Sequence, residues 1–388
     1  MSPLLPSARS DVPPFMVMDV MAAAARIEAA GGRVIHMEVG QPAAPAPSTA
    51  LEAARKALSG PLAYTEALGI PSLRARIARH YGERHGLAID PARVIVTTGS
   101  SAGFLLAFLA LFEPGARVAI ATPGYPPYRH ILTALGCEPV LIETTAETRW
   151  EITRDMLLAT HRQKPVDGLL VASPANPTGT MIEAGALKEL IEAAESEGIR
   201  FISDEIYHGL DYAFAAATAA GMSPRAMIIN SFSKYFCMTG WRIGWMLAPE
   251  ALVRPIERLQ QNLAISVPTI AQIAAEAAFA GRDEMEAVKH GYEENRQILI
   301  TGLPKAGLEK FLPVDGAFYL YADISRFGDD SFAFAKSMLE EAGVAATPGV
   351  DFDPLEGRHY IRFCYAGSAA EMHEAVARIG TWLHGRNA

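Results

Sequence analysis

The run Ser231-Phe-Ser-Lys234-Tyr-Phe-Cys-Met-Thr-Gly240-Trp-Arg242 concentrates reactive groups in twelve residues. Lys234 offers an amine that can condense with a carbonyl. Ser231, Ser233 and Arg242 offer donors suited to an anion. Apolar strands are predicted on both sides, at Ala226 to Asn230 and Ile243 to Ala248, so Lys234 falls where a strand gives way to a loop. Open α/β sheets hold their ligands at such ends. Taken alone the run is ordinary, since a surface lysine followed by an arginine is common.

Other polar residues sit at similar boundaries. Val94-Ile-Val-Thr-Thr98 is a β-branched run that turns at Gly99-Ser100-Ser101-Ala102-Gly103 into an apolar helix over Phe104 to Phe112. Strand, glycine turn and helix start make an anion cradle, because free N–H groups and the positive end of the helix dipole point at one place. No Lys-Ser/Thr pair follows, which speaks against a P-loop. The strand Arg117 to Ala121 leads to Thr122-Pro-Gly-Tyr125-Pro-Pro-Tyr128, where prolines stiffen the loop around Tyr125. Gly168 to Ala172 ends in Ser173-Pro-Ala-Asn176-Pro-Thr-Gly179, a pair of prolines around an amide. Arg200 to Ser203 ends in Asp204-Glu205-Ile206-Tyr207, an acid leaving an apolar strand. His208 follows, but no second ligand stands at metal spacing, and it reads as structural. In His359-Tyr-Ile-Arg362-Phe-Cys-Tyr-Ala366 an arginine interrupts an apolar strand pattern. A buried guanidinium is costly unless it faces a carboxylate, either a structural Asp or Glu or that of a ligand.

The elements that must position these groups follow the chain. A helix is predicted over Phe15 to Ala30, closed by Gly31-Gly32, then a strand over Val34 to Val39 that breaks at Gly40-Gln41-Pro42. A proline- and alanine-rich linker runs to Ser48. Ser48-Thr-Ala-Leu-Glu52 reads as an N-cap with an acidic first turn, opening a helix to about Leu58. Tyr64-Thr65 and Gly69-Ile-Pro-Ser-Leu-Arg74 precede a helix to about His85. The stretch from Ile142 to Val166 is charged and suggests no element. Glu183 to Gly198 is amphipathic with a glycine stop. Alternating strands and helices from Val94 to Ala248 predict a mostly parallel sheet covered on both faces. From about Ile270 the chain becomes helical. The remainder, with Gly316 to Ala322, a helix over Ser331 to Ala342 and the Arg362 strand, reads as α+β. The predicted division is a large domain over 46–284 and a small discontinuous one over 1–45 and 285–388.

At 388 residues the chain exceeds a comfortable single core. Its net charge of -9 and pI near 5.6 argue against nucleic acid, whose phosphates need a basic face. Cys137, Cys237 and Cys364 show no disulfide or zinc spacing, Met1 to Pro14 holds no apolar core of signal-peptide length, and no later run is long enough to span a bilayer. These readings predict a soluble cytoplasmic protein with small-molecule partners, no membrane association and no metal.

Together the motifs resemble the pyridoxal-phosphate site of fold-type I aminotransferases, the class I/II branch that includes aspartate aminotransferase, in order and spacing from Gly40 to Arg362. The resemblance implies the fold-type I α/β architecture, with a mostly parallel central sheet flanked by helices and a smaller α+β domain. It implies that Ser100, Ser101, Ala102, Ser231, Ser233 and Arg242 hold the cofactor phosphate and that Tyr125 stacks on its ring. Asp204 keeps a proton on the ring nitrogen, while Asn176 and Tyr207 reach the phenolic oxygen. Lys234 forms the imine and then acts as acid and base. Arg362, with Asn176 and the Gly40 loop, would bind the substrate α-carboxylate, and Tyr64 would reach the phosphate of a neighbouring subunit in a homodimer with shared sites. The implied activity is transfer of an amino group from an L-amino acid to a 2-oxo acid. A C–S β-lyase of the same fold shares all these residues; a non-catalytic regulator is disfavoured by the lack of a basic appended domain. A dehydrogenase is disfavoured because no GxGxxG follows the first strand. Where some dicarboxylate-preferring relatives carry a lysine, this chain has Ser101, and Phe15, Met16, Tyr319 and Tyr321 suggest a pocket for an apolar side chain.

Overall fold

The computed structural model describes residues 4–386, so residues 1–3 of the proline-rich start lie outside it. Helix α1 (Met16–Ala29) agrees with the apolar spacing that predicts it, but β1 (Ile35–His36) is much shorter than the apolar run. Beyond Met37 the backbone leaves the ladder, because the Glu38 carbonyl accepts from the Thr347 hydroxyl at 2.9 Å and from Arg362. Helix α2 (Ser48–Ala57) corrects the predicted cap: Ser48 is its first residue rather than its cap. Glu284 accepts from the Ser48 N–H at 2.9 Å and from its hydroxyl at 2.5 Å, so a carboxylate distant in sequence satisfies the helix end.

Helix α3 (Pro71–His85) starts on a proline, whose missing N–H costs nothing there. Strand β2 (Val94–Thr97) is wholly buried, and α4 (Gly99–Leu111) begins directly after it. Residues 99–103 are thus the first turn of that helix rather than a turn preceding it. Then come β3 (Arg117–Thr122), α5 (Pro126–Ala134), β4 (Glu138–Glu143) and α6 (Arg154–Gln163). The last lies in the stretch for which no element is predicted; the Thr153 hydroxyl caps it by accepting from the Met156 N–H at 3.3 Å. Strand β5 (Gly168–Ala172), α7 (Ala184–Ser196), β6 (Arg200–Asp204), β7 (Met227–Ser231) and β8 (Gly244–Leu247) complete the alternation. Helices α8 (Glu250–Leu263), α9 (Thr269–Ala278) and the 25-residue α10 (Arg282–Ala306) follow. Next are β9 (Tyr319–Asp323), α11 (Ser331–Ser337) with a π-helical turn after it, β10 (Val344–Ala345), β11 (Thr347–Pro348), β12 (Tyr360–Cys364) and α12 (Ala369–Arg386).

Seven strands form one sheet in the order β2-β8-β7-β6-β5-β3-β4. Only β8 runs antiparallel to its neighbours. Successive residues feed different faces: Ile95, Phe104, Phe108, Ile120, Leu170 and Ile202 make one core, while Val96, Leu169, Phe201 and Ile228 join the other. Both faces are covered, which is why these strands read as continuous apolar runs. Strands β11-β12-β9 form a separate antiparallel sheet, and β1 pairs in parallel with β10, tying the beginning of the chain to its last quarter. The parallel strands β6 and β7 end at Asp204 and Ser231, bringing two candidate segments to one edge. Among the described residues no helix is long and apolar enough to cross a membrane, and no cluster could hold a metal ion.

Candidate active site

Lys234 emerges three residues after β7. The loop that carries it is pinned by its own hydroxyls: the Ser231 hydroxyl donates to that of Ser233 at 2.9 Å and accepts from the Ser233 N–H at 3.0 Å. The Lys234 amine donates to the Gly40 carbonyl at 2.6 Å and lies 5.6 Å from the Tyr207 ring centre. Burial lowers its pKa to about 8; Arg362 and Arg242 push the same way, while Cys364 and Asp204 oppose them. Gly40 is required by close approach. A Cβ there would stand 2.0 Å from the Tyr319 hydroxyl.

Asp204, at the end of β6, is 2% exposed. Its carboxylate accepts from the Tyr128 hydroxyl and, at 3.1 Å, from the Ile206 N–H. Burial nevertheless raises its pKa to about 7, with Tyr128, Ile206 and Lys234 pulling it down. Tyr128 stands on α5 three residues after Tyr125, and the two rings meet edge to face at 5.2 Å. Burial and the nearby Asp204 raise the Tyr125 hydroxyl to about 12. The Tyr207 hydroxyl pairs with that of Tyr319 at 2.7 Å.

Arg362 lies on β12, 2% exposed, between the rings of Tyr319 at 4.5 Å and Phe352 at 4.6 Å. It donates to Asn176 Oδ1 at 2.9 Å, to the Thr347 hydroxyl at 3.1 Å and to the Glu38 carbonyl. Its Nε is buried without a partner. Among the described residues no carboxylate accepts from it. The Asp351 carboxylate stands within electrostatic reach without bonding the guanidinium, and an anion bonding it directly would recover the rest of the cost of burying that charge.

A third group of residues surrounds the start of α4. Gly99 has a φ of +73°, and a Cβ on it would lie 2.5 Å from Arg242 Nη2. The guanidinium therefore rests against the first helical turn. Arg242 itself adopts a φ of +49° and donates to the Thr239 carbonyl at 3.0 Å. Ser100, Ser101 and Ala102 stand in that same turn, where N–H groups have no intrahelical partner.

Lys234, Asp204, Tyr207, Gly40, Asn176 and Arg362 are thus brought together, with Tyr125 reached through Tyr128. Tyr64 is not: it is 81% exposed and stands apart from the cluster. Of the side chains expected at the pocket, Phe15 meets Tyr125 edge-on at 5.9 Å and Tyr319 bonds Tyr207, but Tyr321 packs into a small core with Trp150 and Phe352. Sequence reasoning passed over Tyr128, Thr347, Phe352 and the Glu38 carbonyl. Only Tyr128 left a trace, its three-residue spacing from Tyr125 on a helix. His208 is structural: its Nε2 faces the Ser173 carbonyl at 3.1 Å, and burial keeps the ring neutral.

Chemically, the cluster offers an anion cradle, an amine partly neutral near pH 7, a buried acid and a guanidinium bonded to no carboxylate among the described residues. Pyridoxal phosphate asks for this set, and the Arg242 guanidinium packed against Gly99 and the unpartnered Arg362 Nε fit it. The family model for class I and II aminotransferases matches residues 33–379. Valine–pyruvate aminotransferase of Mycobacterium tuberculosis is 47% identical over 380 residues, 97% of each chain. The (5-formylfuran-3-yl)methyl phosphate transaminase of Methanocaldococcus jannaschii is 35% identical over 95% of this chain and 97% of its own. A crystal structure of an aminotransferase from Mycobacterium tuberculosis superposes with a TM-score of 0.96 at 46% identity, covering 99% of this chain and 100% of that one. The chain therefore belongs to the class I and II aminotransferases, the fold-type I family that uses pyridoxal phosphate, and its chemistry is transfer of an amino group.

Proposed function

We propose that this chain binds pyridoxal 5'-phosphate at Lys234 and moves the amino group of an L-amino acid with an apolar side chain to a small 2-oxo acid such as pyruvate. The observation that carries the proposal is Arg362, buried beside Asn176 and bonded to no carboxylate among the described residues, at the edge of the cluster around Lys234. The name of the valine–pyruvate aminotransferase relative supports the choice of substrates. So does Ser101, which stands where a lysine would meet a second carboxylate.

Bound at this site, the cofactor would supply an aldehyde for the substrate amine and a ring that withdraws electrons from the neighbouring carbon. The residues divide the remaining work. Arg242, the Ser231 and Ser233 hydroxyls and the N–H groups of Ser100, Ser101 and Ala102 bind the phosphate. Tyr125 stacks on the ring, and Asp204 keeps a proton on the ring nitrogen; a cation beside its carboxylate favours the ionised form and offsets the upward push of burial. Asn176 and Tyr207 donate to the phenolic oxygen. Arg362, with Asn176 and the Gly40 loop, grips the substrate carboxylate, which fixes the α-carbon near the Lys234 amine. Burial, with Arg362 and Arg242, lowers the pKa of that amine to about 8, which favours the neutral form that takes the α-proton and returns it.

The proposed assembly is a cytoplasmic homodimer in which exposed Tyr64 reaches the phosphate site of the other subunit. Its three cysteines, all free and buried, fit a reducing compartment. Residues 46–284 are proposed to form the cofactor domain, and 1–45 with 285–388 the smaller one. Half-reactions with a panel of amino acids test the substrate assignment. Valine, leucine and alanine should exceed aspartate and glutamate by at least about tenfold in kcat/KM, since a second carboxylate would be desolvated unpaired. Preference for aspartate or glutamate would overturn it.

A further inference from the structure

We propose that Asp351 is a positioning residue that latches α1 across the substrate side of the site and acts through Phe15; this rests on the assignment of the site made above. Phe15 is the N-cap of α1 and provides no side-chain cap of its own. The cap comes instead from Asp351, whose Oδ1 accepts from the Met16 N–H at 3.2 Å across 335 residues of chain. A carboxylate there also complements the positive end of the helix dipole.

Asp351 ends the short 3-10 turn Gly349–Asp351 between β11 and β12. That turn is clamped from behind. Arg129 donates to the Asp351 carbonyl at 2.5 Å and to that of Phe352 at 3.4 Å, while the Gly124 N–H donates to the Phe352 carbonyl at 3.1 Å. The Phe352 ring lies 4.6 Å from the Arg362 guanidinium. One turn therefore touches three parts of the site: α1 through Asp351, the Tyr125 loop through Gly124, and Arg362 through Phe352. The consequence is geometric. Where Asp351 holds the first turn of α1, Phe15 is placed edge-on to Tyr125 at 5.9 Å, beside the aromatic ring assigned to the cofactor.

The carboxylate is expensive where it is. It is 2% exposed, its Oδ2 is buried without a partner, and burial raises its pKa. A cap serving stability alone would be better placed in solvent, where both oxygens are hydrated. The Met16 and Val17 N–H groups and the nearby Arg362 and Arg129 offset part of that cost, and the placing of Phe15 accounts for the carboxylate standing here.

The test compares the wild-type holoenzyme with Asp351→Ala, Asp351→Asn, Phe15→Ala and the double variant Phe15→Ala/Asp351→Ala. The amino donor is whichever one the wild type turns over, so a wrong donor assignment leaves the comparison intact. Asp351→Ala and Phe15→Ala should each raise donor KM about tenfold, the size of effect expected from a lost cap, with kcat and the visible cofactor band retained. Asp351→Asn keeps the acceptor oxygen and should stay within about threefold. The double variant should be no worse than either single one, because both remove the same contact. An unchanged KM in Asp351→Ala, a parallel loss of kcat and cofactor band, or an additive rise to about a hundredfold in the double variant would overturn the latch. A wild type with no cofactor band would instead strike at the assignment of the site.

Discussion

At Arg362 the cost of burial is the informative quantity. Its charge is carried into the protein on an apolar strand, and among the described residues its hydrogen bonds go only to neutral oxygens, which is what the proposed substrate carboxylate would complete. Arg362→Lys keeps the charge but loses the planar fork, and kcat/KM should fall about a hundredfold, mainly through KM. Steady-state kinetics on the holoenzyme measure this, and an unchanged KM would contradict the role. Lys234, Asp204 and Asn176 were legible in sequence because each is a polar residue following an apolar strand. Their partners were not. Tyr128 meets Asp204 across 76 residues and the Glu38 carbonyl meets Arg362 across 324, contacts that no local pattern encodes. The expected carboxylate opposite Arg362 is not supplied by the described residues, which leaves the ligand alternative standing.

At the scale of elements, the strands of the large sheet were the most legible part, since burial on both faces leaves them uniformly apolar. The strand and helix around Gly99 were legible, but the glycine turn expected before the helix is the first turn of the helix itself. Gly99 opens α4 directly, and it must be glycine because of its positive φ and because Arg242 occupies the space of a Cβ. Gly99→Ala should cost about 1 to 2 kcal/mol in stability and weaken cofactor binding roughly tenfold. Thermal unfolding and cofactor titration check it; wild-type affinity in the variant would show that the cradle does not depend on this approach. Helices α6 and α8 escaped sequence reading for separate reasons. Charged residues obscure the apolar face of α6, and Pro255 interrupts the hydrogen-bond ladder of α8, which still packs through Ile256 and Gln260. The supposed self-cap of α2 failed because Glu284, far along the chain, does the capping.

At the scale of the whole molecule, the sheet built from residues 94–247 and the smaller sheets built from both ends of the chain meet where β6, β7 and β12 deliver Asp204, the Lys234 loop and Arg362. This convergence was legible only as a resemblance, because periodicity cannot tell which strand ends share an edge. Exposed Tyr64 has its proposed role only in the proposed dimer. Light scattering should give twice the 41.7 kDa chain mass, and Tyr64→Phe should lower cofactor retention about tenfold, the scale of one hydrogen bond to a phosphate. A single-chain mass would contradict shared sites. The central claim, a cofactor held covalently by Lys234, is tested most directly by the visible absorption of the purified protein. The wild type should be yellow and should change its band when an amino donor is added, and Lys234→Ala should lose that band. A wild type that stays colourless after addition of pyridoxal phosphate, or a Lys234→Ala variant with an unchanged band, would contradict it.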